Sequence, residues 1–457
     1  MKQTKTYNHF PVCVPRLLSH PLRCSLGLSF VLYSLLFSVA LLTACSDDVE
    51  ETRQGITFEV LAGTTEYTEE VSASRGMSPM SAPFATRADD TDWIPPTYAS
   101  FETMNGKFAQ QVNLVNNSIY AFFSTAENVA PQTGTFFYSK NSVTGVNSWQ
   151  LRMDELAQGN YYLYGYIPKE DAGSASIESY NGTAPNGNNS YSTGAVLTLT
   201  DLNTVSPSDV CVIVGAKDGD AINELKTAGE YMNTGDFKIH AYAATKDDVS
   251  PGTPNFLFLL FDHLYTALRF NFTIDATYDA LRTIKLRKLE MRAWASETEY
   301  VTEKCNATIK LLANNSNLSP IESVVFDISN AAYDSNHPDK GFKDIYTYNS
   351  SLANEVVLTT TKPESFMGCL VPGSSYNIEL RSTYDVYDKN VTPAHPEGNL
   401  IRRGCQAVNK LNLLTIFGEY TQLQRGQCYS LTMKVQPTYL YMLSEPDLDN
   451  PTIRVEN

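Results

Sequence analysis

Hydrophobic and polar residues alternate with a period of two over many short stretches of this chain, whereas helical periodicity is rare. The clearest case is A-L-R-F-N-F-T-I at residues 267–274, where Leu268, Phe270 and Phe272 alternate with polar side chains. A period of two places successive side chains on opposite faces of a β-strand. The pattern therefore predicts an all-β protein.

Other short segments show the same alternation or are apolar on both faces, and most are bounded by turn residues. The further predicted strands lie at residues 55–62, 117–124, 134–138, 159–168, 209–216, 256–261, 285–294, 355–360, 365–371, 376–384 and 428–435. Residues 277–282 predict one helical turn, and Pro437 is expected to end the strand before it. Residues 173–194, rich in Gly, Ser and Asn, predict a long loop.

The length of the chain, 457 residues, exceeds what one hydrophobic core usually supports, which predicts two domains. Residues 247–255 turn polar and hold Pro251 and Pro254, so we expect the boundary there. The prediction is two β-sandwich domains, at residues 97–250 and 251–457.

Residues 1–44 have the pattern of a secretory signal, with basic residues, no acidic residue and an apolar run at 26–42. A transmembrane helix is the alternative, because about 20 apolar residues suffice to cross a bilayer. The sequence after the run argues against a helix, since L-T-A-C ends at Cys45 and acidic residues follow at 46–51. This motif resembles the lipobox of bacterial lipoproteins, which implies lipidation of Cys45 and cleavage before it.

Residues 45–96 are predicted to be a lipidated N-terminal segment that carries one strand and a flexible tether. In the strand, Ile56, Phe58 and Val60 share one face. Residues 63–96 show no period that would let them bury a face, so we expect them to form the tether.

The chain is acidic, with a formal charge of −16. Removal of residues 1–44 takes away four of the 34 basic residues and none of the 50 acidic ones, which leaves −20. Such a surface repels phosphate backbones, so nucleic acid is excluded as a partner.

Five cysteines remain once Cys45 and the two cysteines of the signal are set aside, and they are Cys211, Cys305, Cys369, Cys405 and Cys428. No Cys-x-x-Cys pair occurs and four histidines remain, so we expect no metal site and no cofactor. Mostly buried free thiols are predicted, with one disulfide among the last four left open.

Catalytic patterns are weak in this sequence, and we predict that the protein is not an enzyme. No G-x-S-x-G elbow occurs. The four histidines are scattered at His240, His263, His337 and His395. His263 adjoins a predicted core strand and is expected to be packed. The acid pairs Asp385/Asp388 and Asp447/Asp449 are expected to lie in turns, because the ligand spacing of a calcium loop is not met.

Aromatic residues allow a second interpretation. Tyr162, Tyr164 and Tyr166 share one face of a predicted strand and are expected to cover a core. Exposed rings could instead stack against sugars. The candidates for that role are Trp93, Trp149 and Trp294.

A basic cluster occurs on the predicted strand at 285–294. It consists of Lys285, Arg287, Lys288 and Arg292. We expect it to be a solvated strand face.

Taken together, these features resemble the fimbrillin family of Bacteroidales pilus proteins. The T-R-A at 86–88 and four longer stretches carry the resemblance: G-I-T-F-E-V at 55–60, F-D-H-L-Y-T-A-L-R-F-N-F at 261–272, Y-D-A-L-R-T-I-K-L at 278–286 and C-Y-S-L-T-M-K-V-Q-P-T-Y-L-Y at 428–441. The resemblance implies a lipoprotein precursor with two transthyretin-like β-sandwich domains.

It also implies assembly by strand addition. An arginine-specific surface protease would cut after Arg87, or alternatively after Arg75, and the strand with Ile56, Phe58 and Val60 would leave. A neighbouring pilus subunit would then supply a strand to the open edge. The candidate donor residues are Tyr439, Leu440, Tyr441, Met442 and Leu443. Pairing of this segment within its own domain is the alternative.

The expected location is the outer membrane, reached through the N-terminal lipid, and the cell surface and pilus after processing. Host or bacterial surface ligands are a further class of partner. The rival interpretation is a glycan-binding surface lipoprotein that stays anchored as a monomer.

Overall fold

The structure is a computed structural model. It describes residues 56–65, 68–72, 98–100, 118–125, 132–140, 147–153, 157–181, 193–219, 236–242, 255–313, 320–350, 355–373, 377–396, 398–417, 423–440 and 445–456. Within these residues the chain forms 26 strands and two short α-helices, which confirms the predicted all-β class.

The strands of the first half are β1 (Ile56–Thr65), β2 (Thr68–Ser72), β3 (Tyr98–Ser100), β4 (Ile119–Ser124), β5 (Gln132–Lys140), β6 (Asn147–Met153), β7 (Gly159–Ile167), β8 (Ser174–Asn181), β9 (Thr193–Asn203), β10 (Val205–Ser206), β11 (Cys211–Gly219) and β12 (Lys238–Ala241). A 3-10 turn, Lys169–Asp171, follows β7.

The elements of the second half are β13 (Asn255–His263), β14 (Thr266–Ile274), α1 (Ala276–Leu281), β15 (Arg282–Trp294), β16 (Glu299–Val301), β17 (Lys304–Leu312), β18 (Ile321–Asp327), β19 (Asn330–Ala332), β20 (Lys343–Thr347), β21 (Val356–Val357), β22 (Glu364–Leu370), β23 (Asn377–Asp388), β24 (Leu400–Asn412), α2 (Leu413–Phe417), β25 (Gln427–Leu440) and β26 (Glu445–Glu456). Asp275 caps α1, and its carboxylate accepts the backbone N–H groups of Thr277 and Tyr278.

A nine-stranded sheet contains the first strand of the chain. Its strands pair in the order β11, β13, β1, β6, β5, β4, β7 and β12, with β3 also paired to β1. In addition β7 pairs with β11, where Cys211 lies opposite Ile167. The pairing therefore closes a ring of seven strands, and β1 is one member of that ring.

Three further sheets complete the described residues. A six-stranded sheet has the order β10, β22, β14, β25 and β2, with β26 also paired to β25. A seven-stranded sheet is built on β15 and β23, and a four-stranded sheet has the order β18, β17, β9 and β8. Two hydrophobic clusters result, one centred on the nine-stranded sheet and one between the six- and seven-stranded sheets.

The division into domains at residue 250 stays a prediction. Contacts between Cα atoms group Gly55–Asn457 into one unit. Strand pairing adds a detail, since β13, expected to open the second domain, pairs with β1 and β11 of the nine-stranded sheet. The chain changes sheets between His263 and Thr266.

Several local predictions were wrong. Residues 173–194 are not only loop, because β8 and the start of β9 form an antiparallel ladder there. Only Ala175 and Ile177 of β8 turn inward, too few to reveal a strand in the sequence. β25 does not end at Pro437, which lies opposite Pro451 of β26 at an irregularity in the register, where a missing N–H is tolerated.

The third correction concerns the basic residues of β15, which are not a solvated face. Lys285 and Arg292 are buried. Lys285 Nζ lies 2.5 Å from Glu355, Arg287 Nε 2.7 Å from Asp385, and Arg292 Nη2 2.8 Å from Glu379. Acidic residues of neighbouring segments neutralise the cluster, and strand periodicity alone does not show such partners.

Candidate functional site

The first strand is inserted between two others. β1 runs parallel to β13, with Val60 opposite Leu257, and antiparallel to β6, with Val60 opposite Trp149. Both edges of β1 therefore form ladders, and its loss would leave unpaired N–H and C=O groups on β13 and β6.

The three residues predicted to form one face of this strand are buried, at 2% exposure for Ile56 and 0% for Phe58 and Val60. The Phe58 ring stacks on Phe123 with centroids 5.7 Å apart. Burial of each such side chain contributes roughly 1.5 to 3 kcal/mol, so the strand fills three pockets that matter for stability. Glu59 on the opposite face is buried as well.

The end of β1 closes over a polar cluster that sequence reasoning missed. Thr64 Oγ1 lies 3.5 Å from His263 Nε2, and His263 Nδ1 is in close contact with Asp209 Oδ2. The Cys211 thiol lies 3.5 Å from the same Nδ1 and donates to Asp209 at 3.7 Å. The alternation of β1 could have predicted the burial of Thr64, because this residue continues the even-numbered buried face that begins at Ile56.

Burial of these groups sets their chemistry. Thr64, Asp209, Cys211 and His263 have exposures of 0 to 1%. Loss of hydration raises the pKa of the Cys211 thiol well above its ordinary value, and the charges of Asp209 and Asp262 add to the effect. While β1 is in place the thiol is protonated and covered, and His263 is packed as predicted.

A second strand of the N-terminal segment was not predicted. β2 pairs in parallel with β25, where Val71 lies opposite Tyr429 and Ser72 opposite Ser430. Part of the predicted tether is therefore strand. The sequence T-E-E-V-S shows no alternation, so the backbone ladder with β25 defines this element.

Both strands precede the arginines at which cleavage is predicted. β2 ends at Ser72, upstream of Arg75 and Arg87. A cut at either arginine would thus place β1 and β2 on the same fragment. Arg75, Arg87 and the lipidation residue Cys45 lie outside the described residues.

The candidate donor segment is partly described. Tyr439 and Leu440 end β25 and lie opposite Pro446 and Glu445 of β26. Tyr441, Met442 and Leu443 lie outside the described residues. In this structure β26 thus pairs within its own chain, the alternative left open by the sequence, and a donor role stays a prediction.

The five cysteines of the folded region are all buried, and none of them is in a disulfide. This confirms the predicted buried thiols, and the one disulfide left open by the sequence does not form.

The glycan interpretation finds little support at Trp294. Its ring is buried, Nε1 donates to Glu379 at 2.8 Å, and Lys410 Nζ lies 4.4 Å from the ring centroid. A surface cavity of about 410 Å³ opens beside it, but this indole already has partners. Trp93 lies outside the described residues, and of Trp149 only the backbone pairing is described.

The acid pairs do not lie in turns as predicted, because Asp385 and Asp388 belong to β23 and Asp447 and Asp449 belong to β26. Three of these aspartates have structural partners. Asp385 pairs with Arg287 at 2.7 Å and Asp449 with Arg282 at 3.1 Å. Asp388 accepts the backbone N–H of Asn399 at 2.8 Å, which stabilises a turn and lowers the pKa of Asp388. These partners explain the positions of the three aspartates without a calcium site.

In the part of the chain that is described, no helix has the length and apolar content to cross a membrane. The fold and the site define an all-β protein with an inserted first strand.

Comparison with profiles of known protein families and with curated proteins gives no match. Among solved structures, similar chains include a fimbrial protein from Bacteroides vulgatus, with 12% identity, coverage of 79% of this chain and 96% of that chain, and a TM-score of 0.29.

Two others come from Porphyromonas gingivalis. The fimbrial anchor protein Mfa2 has 8% identity, coverage of 87% and 97%, and a TM-score of 0.20. The tip fimbrial protein Mfa3, with a C-terminal truncation, has 8% identity, coverage of 76% and 96%, and a TM-score of 0.22. All three TM-scores are below 0.5, so none of these likenesses by itself assigns a function to this chain.

Proposed function

We propose that this protein is a structural or adhesive subunit of a cell-surface pilus and acts by strand exchange rather than by catalysis. The observation that carries the proposal is the place of β1. It is an inserted member of a closed ring of strands, and it lies on a segment that a single cut would separate from the rest.

The precursor is exported as a lipoprotein and anchored in the outer membrane through Cys45. An arginine-specific surface protease then cuts after Arg87, or after Arg75, and β1 leaves together with β2. The site that opens has two ladder edges and the pockets of Ile56, Phe58 and Val60. An extended segment of another subunit with alternating apolar residues matches both features.

The donor in this mechanism is the C-terminal segment that includes Tyr439 to Leu443. To act as a donor, this segment must either separate from β26 or reach the other subunit with residues beyond that pairing. Release of β2 also frees the neighbouring edge of β25. Host or bacterial surface molecules are the ligands that an adhesive subunit would bind.

The test is the N-terminal mass of the surface-exposed protein. We expect the wild type to begin at Ala88 or Gly76 and to form fibres. The double variant Arg87→Ala/Arg75→Ala should keep an acylated Cys45 and stay monomeric. Arg53→Ala is the matched control, because a cut at Arg53 would leave β1 in place, and it should behave as wild type. Fibres with a shortened N-terminus in the double variant would contradict the proteolytic route.

A further inference from the structure

Three metal-binding side chains of different types meet beneath the end of β1. The ligand atoms of Asp209, Cys211 and His263 all lie within 4.8 Å of one another. Cys211 opens β11 and lies directly opposite His263, the last residue of β13. Asp209 precedes Cys211 by two residues. Two paired strands of one sheet thus position Cys211 and His263, and Asp209 lies just before the first of them.

The spacing of these atoms suits a tetrahedral ion. Zinc binds thiolate sulfur at about 2.3 Å and nitrogen or oxygen donors at about 2.0 to 2.2 Å, so two donors lie roughly 3.4 to 3.6 Å apart. Cys211 Sγ lies 3.5 Å from His263 Nδ1 and 3.7 Å from Asp209 Oδ2. The contact between His263 Nδ1 and Asp209 Oδ2 is closer than this spacing, so these two atoms must move apart when an ion binds.

The surroundings match a bound cation as well. A thiolate and a carboxylate would neutralise a divalent ion, which favours a buried site. The neighbouring Asp262 does not add net charge, because Arg425 Nη1 pairs with it at 2.7 Å and also donates to the His263 carbonyl at 2.7 Å. The second ring nitrogen of His263 faces Thr64 Oγ1 at 3.5 Å, the kind of outer contact that orients a ligating histidine.

We propose that Asp209, Cys211 and His263 form a binding site for a divalent transition metal of the Zn²⁺ type, covered by Thr64 of β1. A thiol and an imidazole exclude Ca²⁺ and Mg²⁺ as the preferred ions. On binding, the thiol proton passes to solvent, His263 binds through Nδ1 as the neutral imidazole with its ring proton on Nε2, and the thiolate sulfur, Nδ1 and a carboxylate oxygen each give a lone pair to the metal. The site does not depend on the pilus role.

The test uses Co²⁺ as the probe on the full chain, both in the folded state and after refolding with the ion, because the site is covered. We expect about one equivalent to bind, with the charge-transfer absorption of a cobalt–thiolate bond. Cys211→Ser should abolish that absorption, and His263→Gln should weaken binding at least about tenfold. Cys405→Ser is the matched control, since Cys405 is also buried and free but lies in the other cluster.

X-ray absorption at the cobalt edge of the wild type gives a result that does not depend on any variant folding. One sulfur ligand is expected. The proposal is overturned if neither the folded nor the refolded wild type gives the thiolate absorption, or if Cys211→Ser retains it. In either case the three residues are a hydrogen-bonded cluster only.

Discussion

At the scale of single residues, Phe58 shows what holds the first strand in place. Its ring is fully buried and stacked on Phe123. Aromatic stacking adds to the free energy of burial, so Phe58 contributes to the attachment of β1 in both ways.

We expect Phe58→Ala to lower the free energy of unfolding by about 3 to 5 kcal/mol, because it leaves a cavity in the first hydrophobic cluster. Denaturant unfolding followed by fluorescence measures the loss. Val408→Ala truncates a side chain that is 53% exposed on β24 and should change stability by less than about 0.5 kcal/mol. Equal losses in the two variants would mean that β1 is not packed as described.

Asp171 makes stability depend on pH. Burial raises the pKa of this carboxyl from 3.8 to about 6, and the charge of Glu170 adds to the shift. A folded-state pKa above the unfolded value favours folding at low pH, so this contribution is fully present below pH 3.8 and is lost as the pH rises through about 6.

The Asp171→Asn variant should therefore lose less stability than the wild type as the pH is raised from about 4 to about 6.5. Parallel urea titrations at several pH values measure the difference. Glu178→Gln alters an exposed carboxylate on β8, and its dependence of stability on pH should match that of the wild type. If Asp171→Asn and wild type follow parallel profiles, Asp171 does not titrate in this range.

At the scale of elements, the seven-stranded sheet depends on ion pairs between β15 and β23. Glu379 accepts hydrogen bonds from Arg292 Nε at 2.9 Å and from the Trp294 indole at 2.8 Å. Arg381 Nε on the same strand donates to Glu290 at 2.8 Å. These strands are thus joined by a buried charge network as well as by their ladder.

Glu379→Ala should destabilise the protein by about 3 to 5 kcal/mol, because it leaves the Arg292 guanidinium buried without its carboxylate. Thermal unfolding checks the size of the effect. Glu303→Ala breaks a pair with Lys343 whose side chains are 37% and 27% exposed, and it should cost less than about 1 kcal/mol. A small effect at Glu379 would show that water reaches Arg292.

Strands with apolar side chains at every second position, facing a core, could be predicted from the sequence. Strands that are defined mainly by backbone pairing with other strands could not. The face of Ile56, Phe58 and Val60 was visible because burial selects apolar residues at every second position. β2 and β8 were missed because backbone ladders define them. The contact of Thr64 with His263 spans 199 residues, and no local pattern reports a contact at that distance.

At the scale of the whole molecule, the ring of seven strands makes β1 the element whose removal uncovers the interior. The cluster of Asp209, Cys211 and His263 lies under its end. The accessibility of the Cys211 thiol therefore reports whether β1 is present.

In the intact protein Cys211 should not react with a maleimide, because the thiol is covered and protonated. After arginine-specific cleavage and loss of the N-terminal fragment, we expect Cys211 to be labelled at least about tenfold faster, as measured by peptide mass spectrometry. Cys405 should stay unlabelled in both states. The comparison is made on the cleaved chain as a monomer, before another subunit's strand can take the place of β1, and protection of Cys211 in that monomer would contradict the role given to β1.

The shared edge of β25 has a practical consequence for handling the protein. Ser72 of β2 lies opposite Ser430, and Glu456 of β26 lies opposite Thr432, so the two strands meet nearly end to end. An affinity tag fused after residue 457 would meet β2 and be turned away from the sheet. Once β2 is gone, the same tag could continue along β25 as additional strand, so a C-terminal fusion can itself alter how the processed chain associates.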